Sequence, residues 1–289
     1  MQTTAAAVTM VRDDAFFLER WVAHYGGLFG RENCYVINHG GGEVVARVAE
    51  GCNVMAIPGT TEKFDMRRWR LLNNLVGGLR QYFKYVVVGD VDEYVVTDPQ
   101  SRMNLLEFLE RAPARKVLTP LGLEVMHRVN EEVDPITGPI LGPRRYARVT
   151  YHYSKPCVVG APVKLSRGGH FASFKELFTP DALYLFHMKY CDLEQYGGVM
   201  DRRNVAVASS GIKKGETGIG GHWFPDERGE DEAIFRAILS KPVVRGFEMS
   251  QYRKKMHDGW SKRGEELWQF PRGEFEHLHE LPERFFGLV

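Results

Sequence analysis

Three carboxylates that follow an apolar run are the residues of this sequence best suited to chemistry. The run Tyr85–Gly89 is followed at once by Asp90, Asp92 and Glu93. A continuous β-branched run of this kind is typical of a strand buried on both faces in a parallel sheet. Ligands of open α/β sheets bind outside the carboxyl ends of the strands, and residues two apart in an extended chain point to the same side. Asp90 and Asp92 are therefore predicted to bind a hard divalent cation through oxygen.

The elements that would position these carboxylates alternate between strand and helix. Apolar runs predict four strands, at 6–11, 34–37, 53–57 and 85–89. Apolar residues at helical spacing follow Asp13 and Asp14, which stand where an N-cap would, and they recur from Lys63 to Phe83. This order predicts an α/β fold with a Rossmann-like, mostly parallel sheet and helices on both faces.

The pattern changes after residue 112. Further strands are predicted at 116–126, 151–159, 163–165 and 182–186, with a long loop at 130–145, a Gly-rich loop at 211–221 and a mostly helical tail from residue 233. We therefore divide the chain into a nucleotide-binding half, residues 1–112, and a mixed half, residues 113–289, packed as one body.

Bulk composition excludes several functional classes. The chain has 289 residues, of which 44% are hydrophobic and 26% charged, and its formal net charge is +1. A net charge this small gives no general attraction to nucleic acid or membranes. The cysteines are scattered without a Cys-x-x-Cys pair, which argues against a zinc site and a disulfide scaffold. With neither a secretory signal nor a membrane-spanning stretch expected, the location predicted is cytoplasmic, with a peripheral place at the inner membrane surface left open.

Two motifs as a pair resemble those of GT-A glycosyltransferases of the family 2 and family 92 type. Phe83–Pro99 (FKYVVVGDVDEYVVTDP) is similar to that group's Asp-x-Asp-Glu-Phe signature, with Tyr94 in place of the Phe. Met10–Gly30 (MVRDDAFFLERWVAHYGGLFG) is similar to its opening motif. Looser matches lie in the helix that contains Asn73 and in Tyr184–Gly198. The resemblance implies a GT-A fold whose second half faces the acceptor.

The same resemblance implies a reaction and a metal. The implied reaction transfers a sugar from a nucleoside diphosphate sugar, with a UDP-sugar favoured, to a hydroxyl acceptor, with inversion favoured and retention left open. Mn²⁺ or Mg²⁺ would stabilise the leaving diphosphate as a Lewis acid. Asp92 is the implied direct ligand, and Asp90 would reach the ribose, or the metal through water. His187 and His222 compete for a third ligand position, with a core histidine as the alternative for His187. Glu93 is equally compatible with a functional and a structural role.

Several residues are candidates for nucleotide binding. Asp14 would read the nucleotide or serve only as a helix N-cap, and Asp65 opens the helix before the fourth strand. The strand-two end, Asn38-His39-Gly40, replaces the group's Asp-rich pattern and leaves base and ribose recognition open. The Gly-rich loop would close over the diphosphate or remain a surface loop. Its candidate side chains are Lys213, Lys214, His222 and Trp223.

The general base and the partners are less defined by the sequence. An inverting transfer needs a carboxylate or histidine near the acceptor hydroxyl, and the candidates, with the first favoured, are Asp226, Glu176 and Asp192. The acceptor predicted is a growing surface glycan or a lipid-linked acceptor, with no nucleic acid partner. The basic and aromatic segment Arg245–Arg272 would touch an anionic membrane or form an ordinary solvated helix.

Two other functions are alternatives to glycosyl transfer. A nucleotidyltransferase acting on sugar phosphates would share the nucleotide-binding half and the metal carboxylates, but it usually carries a Gly-rich, basic loop after the first strand. Here Arg12-Asp13-Asp14 occupies that position. A non-catalytic glycan-binding protein that keeps the fold is the second alternative.

Overall fold

The computed structural model describes residues 3–60, 62–166, 168–210, 231–271, 273 and 275–289. The helices are α1 (Ala15–Phe29), α2 (Glu43–Val48), α3 (Phe64–Leu79), α4 (Leu105–Arg111) and α5 (Leu193–Ser210), with two further helices at Asp231–Leu239 and Ser250–Asp258. The strands are β1 (Thr3–Val11), β2 (Cys34–His39), β3 (Asn53–Ile57), β4 (Phe83–Asp90), β5 (Glu93–Thr97), β6 (Val117–Leu118), β7 (Leu121–Met126), β8 (Tyr146–Val149), β9 (Val158–Val159), β10 (Leu165–Ser166), β11 (Phe171–Ala172), β12 (Leu183–Tyr190), β13 (Val243–Val244), β14 (Ser261–Arg263), β15 (Leu267–Gln269) and β16 (Leu278–Glu280).

The first sheet has the predicted Rossmann-like order. Its strands run β3-β2-β1-β4-β9-β6, and β1 to β4 are mutually parallel. From β1 the chain adds β2 and then β3 on one side of β1, and α3 then brings it back to β4 on the other side of β1. Because such crossovers are right-handed, α1 and α2 lie on one face and α3 on the other. The predicted α/β fold with helices on both faces is confirmed.

The second sheet is mixed and is joined directly to the first. Its order is β13-β16-β8-β7-β12-β5, with β12 parallel to β7 and antiparallel to β5. Because β5 follows β4 after a two-residue turn, the chain passes from one sheet to the other at that turn. β6 and β9, from beyond residue 112, complete the first sheet, so the two predicted halves share a sheet. A small antiparallel sheet, β10-β11-β15-β14, accompanies them.

Local sequence explains the elements that position the site. Asp14 caps α1 by accepting a hydrogen bond from the backbone N of Phe17 at 3.4 Å. The buried face of α1 includes Trp21 and Tyr25, which are each 1% exposed. The valines of β4 are buried, as a strand covered on both faces requires. These contacts make the central strands a rigid base for the residues at their carboxyl ends.

Some predicted elements differ from the structure. Of the strand predicted at 151–159, only β9 is extended, and Tyr151–Tyr153 forms a 3-10 turn. The tail predicted to be mostly helical also holds the strands from β13 to β16. These strands are two or three residues long, too short for alternation to reveal them. The predicted Gly-rich loop, 211–221, lies outside the described residues.

Candidate functional site

A cleft of about 740 Å³ lies at the carboxyl ends of β1 and β4. These two strands are adjacent, with Met10 opposite Asp90, although the chain visits β2 and β3 between them. This is the point where the strand order reverses, and open α/β sheets bind ligands in the crevice there. The end of β2 contributes His39, and the cleft lies at the strand ends where the sequence predicts a binding site.

The chain reverses direction within the carboxylate cluster. Asp90 ends β4, Val91 and Asp92 form a turn, and Glu93 begins β5. The expectation that an extended chain places Asp90 and Asp92 on one side is wrong, because the turn interrupts the strand between them. Both residues still line the cleft, but they have different neighbours.

Asp90 is paired with two cations. One carboxylate oxygen forms an ion pair with the guanidinium of Arg68 on α3, and the other lies 3.5 Å from the Lys155 ammonium. Burial lowers the pKa of Arg68, although Glu93 and Asp65 act in the opposite direction. The Arg68 Nε has no hydrogen-bond partner in the part of the chain that the structure describes. Arg68 therefore places a partly unsatisfied cation at the cleft wall, suited to an anionic ligand.

Glu93 is a buried carboxylate that fixes the turn. Its side chain is 1% exposed and forms an ion pair with Lys155, whose side chain is 3% exposed. Its second oxygen accepts a hydrogen bond from the backbone N of Asp90 at 3.2 Å. With both oxygens engaged, Glu93 holds together the two ends of the turn that presents Asp92.

His187 belongs to a row of charged residues that crosses the second sheet. Register places Glu93 of β5, His187 of β12, Glu124 of β7 and Arg148 of β8 side by side. The His187 Nδ1 lies 3.1 Å from a Glu124 oxygen, and the other Glu124 oxygen pairs with Arg148. Burial alone would raise the pKa of Glu124, but the hydrogen bond and charge of His187, together with Arg148, lower it to about 2.

This row leaves the other imidazole nitrogen facing the cleft. Because a carboxylate accepts, Nδ1 donates to Glu124, and the His187 Nε2 points toward an Asp92 oxygen 3.6 Å away. The Tyr153 ring stacks on His187 with centroids 3.6 Å apart and limits its rotation. A ring N–H held by a carboxylate is the usual support of a metal-binding histidine.

The residues at this point fit a divalent cation. Ligand atoms of Asp92, Glu93 and His187 all lie within 4.8 Å of one another. Asp92 and His187 are the members with an atom directed at the common space, since Glu93 also serves Lys155 and the turn. One carboxylate and one imidazole match Mn²⁺ better than Mg²⁺, which prefers oxygen throughout.

Those nucleotide-binding candidates that the structure describes line the same cleft. Asp14 lines it and faces Arg202 of α5 at 3.6 Å, and burial raises the pKa of Asp14. Asp65 also lines it and accepts a hydrogen bond from the backbone N of Gly168 at 3.2 Å. His39 occupies the strand-two end, where its Nε2 accepts from the backbone N of Thr60 at 3.0 Å. The pairing of Asp14 with Arg202 links the start of α1 to α5.

Other predicted site residues lie elsewhere. Glu176 is exposed and does not line the cleft. Asp192 precedes α5, where it pairs with Arg144 at 2.6 Å and accepts from the backbone N of Glu194 and Gln195. Through these contacts Asp192 caps the start of α5 and holds Arg144. Five further candidates lie outside the described residues: Lys213, Lys214, His222, Trp223 and Asp226.

Sequence reasoning missed Lys155, Glu124 and Arg148. Glu124 left a signal, because it is a single carboxylate inside the apolar strand β7, and such residues are rarely buried without a partner. Lys155 directly precedes a buried run and could have been noticed in the same way. Their partners could not be assigned, because each lies tens of residues away in the sequence.

Comparisons with known proteins assign the chain to no family. No protein family matches it, and no curated protein gives a significant match. One similar solved structure is a mannose-1-phosphate geranyltransferase from Thermus thermophilus, at 17% identity and a TM-score of 0.31, covering 86% of this chain and 83% of that one. Another is S. aureus TarS, at 12% identity and a TM-score of 0.30, covering 82% of this chain and 42% of that one. At such TM-scores neither likeness identifies an activity, and the fold class rests on the sheet topology.

The described helices include no membrane-spanning candidate, since none is both long and apolar enough. In the segment Arg245–Arg272, Arg253 is buried and donates to the backbone oxygens of Pro180 and Leu183. Trp260 and Phe270 are also buried. These aromatic side chains pack inward, and membrane contact through the exposed lysines stays a prediction.

Proposed function

We propose that this protein is a metal-dependent glycosyltransferase that moves a sugar from a nucleoside diphosphate sugar, preferably a UDP-sugar, to a hydroxyl acceptor. The observation that supports it most is the facing pair of Asp92 and His187, with the Nε2 of His187 3.6 Å from Asp92 and its Nδ1 held by Glu124. A bound Mn²⁺ or Mg²⁺ would supply Lewis-acid stabilisation of the leaving diphosphate. In this proposal Asp92 and His187 hold the cation, and Glu93 keeps the turn in place.

The basic residues of the cleft support a diphosphate ligand. Arg68 of α3, Lys189 at the end of β12, and Arg202 and Arg203 of α5 all line the cleft. These cations can neutralise the charge that gathers as the glycosidic bond breaks. Asp90, already paired with Arg68 and Lys155, is proposed to accept a hydrogen bond from the ribose, while Asp14 and Asp65 contact the nucleoside.

Two aspartates are the proposed candidates for the general base. Among the described carboxylates beyond residue 112, Asp201 of α5 is the one that lines the cleft. We propose it as a second candidate base beside Asp226, and the acceptor would enter from the side of α5. A surface glycan or a lipid-linked sugar is the proposed acceptor, and inversion the proposed outcome.

Thermal unfolding with nucleotides tests the donor site. The melting temperature would be measured with UDP, GDP, CDP and ADP, with and without Mn²⁺, on the native chain and Asp92→Asn. Asp181→Asn is the matched control, because that carboxylate is 97% exposed. We expect one nucleotide to stabilise the native and control proteins in a Mn²⁺-dependent way. Equal stabilisation of Asp92→Asn would remove Asp92 as a ligand, and no stabilisation by any nucleotide would refute the proposal.

A second assay separates the alternatives. Release of pyrophosphate from a nucleoside triphosphate and a sugar 1-phosphate would indicate a nucleotidyltransferase. Release of nucleoside diphosphate from a nucleotide sugar would indicate the proposed reaction. Binding of glycans without either reaction would favour the non-catalytic protein.

A further inference from the structure

Three side chains of types that can bind metals meet outside the cleft. We call Tyr252, His277 and His279 the tyrosine–histidine cluster. Tyr252 lies in the helix Ser250–Asp258, whereas the histidines stand on either side of the fully buried Leu278 at the start of β16. His277 lies in the bend just before the strand, and His279 lies within it. Both imidazoles reach the same phenol, with Nε2 of His277 at 2.8 Å and Nε2 of His279 at 3.0 Å from its oxygen. None of the three lines the cleft.

The hydrogen-bond partners define the protonation of the cluster. The Nδ1 of His279 lies 3.4 Å from the backbone oxygen of Gly246, and a carbonyl can only accept, so Nδ1 donates. In a neutral ring the Nε2 of His279 is then unprotonated and accepts from the Tyr252 hydroxyl. The phenol oxygen in turn accepts from the Nε2 of His277. His279 thus directs an unprotonated nitrogen at the phenol, and its other nitrogen is fixed by a carbonyl, as in metal-binding histidines.

We propose that the tyrosine–histidine cluster is a second metal site, which binds a late first-row divalent cation such as Zn²⁺, Ni²⁺ or Cu²⁺. Imidazole nitrogen suits these metals and distinguishes the cluster from the carboxylate-rich cleft. Ligand atoms that each lie about 2.0–2.1 Å from a tetrahedral metal are roughly 3.3 Å from one another. The two distances from the phenol oxygen to the imidazole nitrogens therefore need to lengthen by only a few tenths of an ångström. Tyr252 and His277 are half-buried, which leaves room for approach and for water as a fourth ligand.

Binding has a defined proton balance. His277 moves its proton from Nε2 to Nδ1, and the phenol releases its proton to water, so that two neutral imidazoles and one phenolate face the cation. One proton is therefore released for each metal bound, and binding strengthens as pH rises. Two other titratable groups lie near the cluster. Glu276 pairs with Lys241 at 2.9 Å, and burial, together with the neighbouring Tyr252, raises the pKa of the Tyr151 phenol, so neither supplies the proton that is released.

Calorimetric titration of the untagged, full-length chain with Zn²⁺ tests the site. The Asp92→Asn background weakens the cleft site, and His277→Gln and His279→Gln are introduced there separately. His257→Gln is the matched control, since His257 lies exposed on the same helix as Tyr252. We expect one Zn²⁺ with release of one proton in the background and control proteins. Each cluster variant should bind at least tenfold more weakly.

Titration with Cu²⁺ gives an independent readout of the phenolate. A visible phenolate-to-copper charge-transfer band should appear in the background protein and be absent from Tyr252→Phe. Circular dichroism without metal establishes that each variant is folded. Absence of Zn²⁺ binding by the background protein, or equal affinity in folded His277→Gln and His279→Gln, would overturn the proposal, as would a charge-transfer band that persists in Tyr252→Phe.

Discussion

Replacing Lys155 by Met is predicted to destabilise the protein strongly. The ammonium is 3% exposed and pairs with Glu93, which is 1% exposed, and it lies 3.5 Å from Asp90. Met preserves the volume but leaves Glu93 as a buried charge without its cation. Removing one partner of a buried pair costs about 3–5 kcal/mol, against a total free energy of unfolding of about 5–15 kcal/mol for a typical domain. We therefore expect Lys155→Met to lose about 3–5 kcal/mol, or roughly a fifth or more of the total.

Urea unfolding at neutral pH, followed by circular dichroism, measures this loss. The double variant Lys155→Met/Glu93→Gln removes the unpaired charge and should recover part of the stability, so the two substitutions should be non-additive by about 1–3 kcal/mol. Lys164→Met is the control, because Lys164 forms an exposed pair with Glu266 at 3.7 Å, and such pairs contribute at most about 1 kcal/mol. A loss below about 1 kcal/mol in Lys155→Met, or strict additivity in the double variant, would refute the reasoning.

Three further predictions concern other parts of the molecule. Glu124→Gln should weaken Mn²⁺ binding by about 10–100-fold because His187 loses the carboxylate that orients it; unchanged affinity by calorimetry would contradict this. Burial lowers the pKa of His24 from 6.5 to about 4, so the unfolded chain takes up a proton in that interval. The free energy of unfolding should then fall by about 3 kcal/mol as pH drops from 6.5 to 4, and urea titrations of His24→Gln should show a smaller fall. Gly122→Ala would place a methyl group against the backbone around the turn Tyr151–Tyr153, and a melting temperature within error of the native value would contradict the strong destabilisation expected.

The first sheet was predictable because its signals are local. The β-branched run of β4, the cap at Asp14 and the helical spacing of α3 each lie within one segment, and their alternation implies a parallel sheet. The position of the cleft followed from a general property of such sheets. The short strands β13 to β16 carried no comparable signal, because two or three residues cannot display a period.

The row of charged residues that crosses the second sheet was not predicted, and the reason is a different one. Glu93, His187, Glu124 and Arg148 come from four strands, and only register brings them together. The turn at Val91 was also hidden, since Asp90 to Glu93 is compatible with a continuing strand. The resemblance to a family therefore offered His187, with His222 as its rival, as a ligand of the same cation as Asp92, but no pattern within the sequence showed that the two side chains face each other.

The two-residue turn between β4 and β5 has a consequence for how this sequence can vary in length. Side chains alternate along β5, so one residue inserted beside Val91 would exchange the two faces of that strand. Glu93 would turn away from Lys155, and Tyr94, now fully buried, would face the charged row instead. A substitution at Val91 leaves the register of β5 unchanged, whereas an insertion or deletion disrupts both sheets together. Chains that share this site should therefore keep the spacing from Asp90 to Glu93 unchanged, even where the residue at position 91 differs.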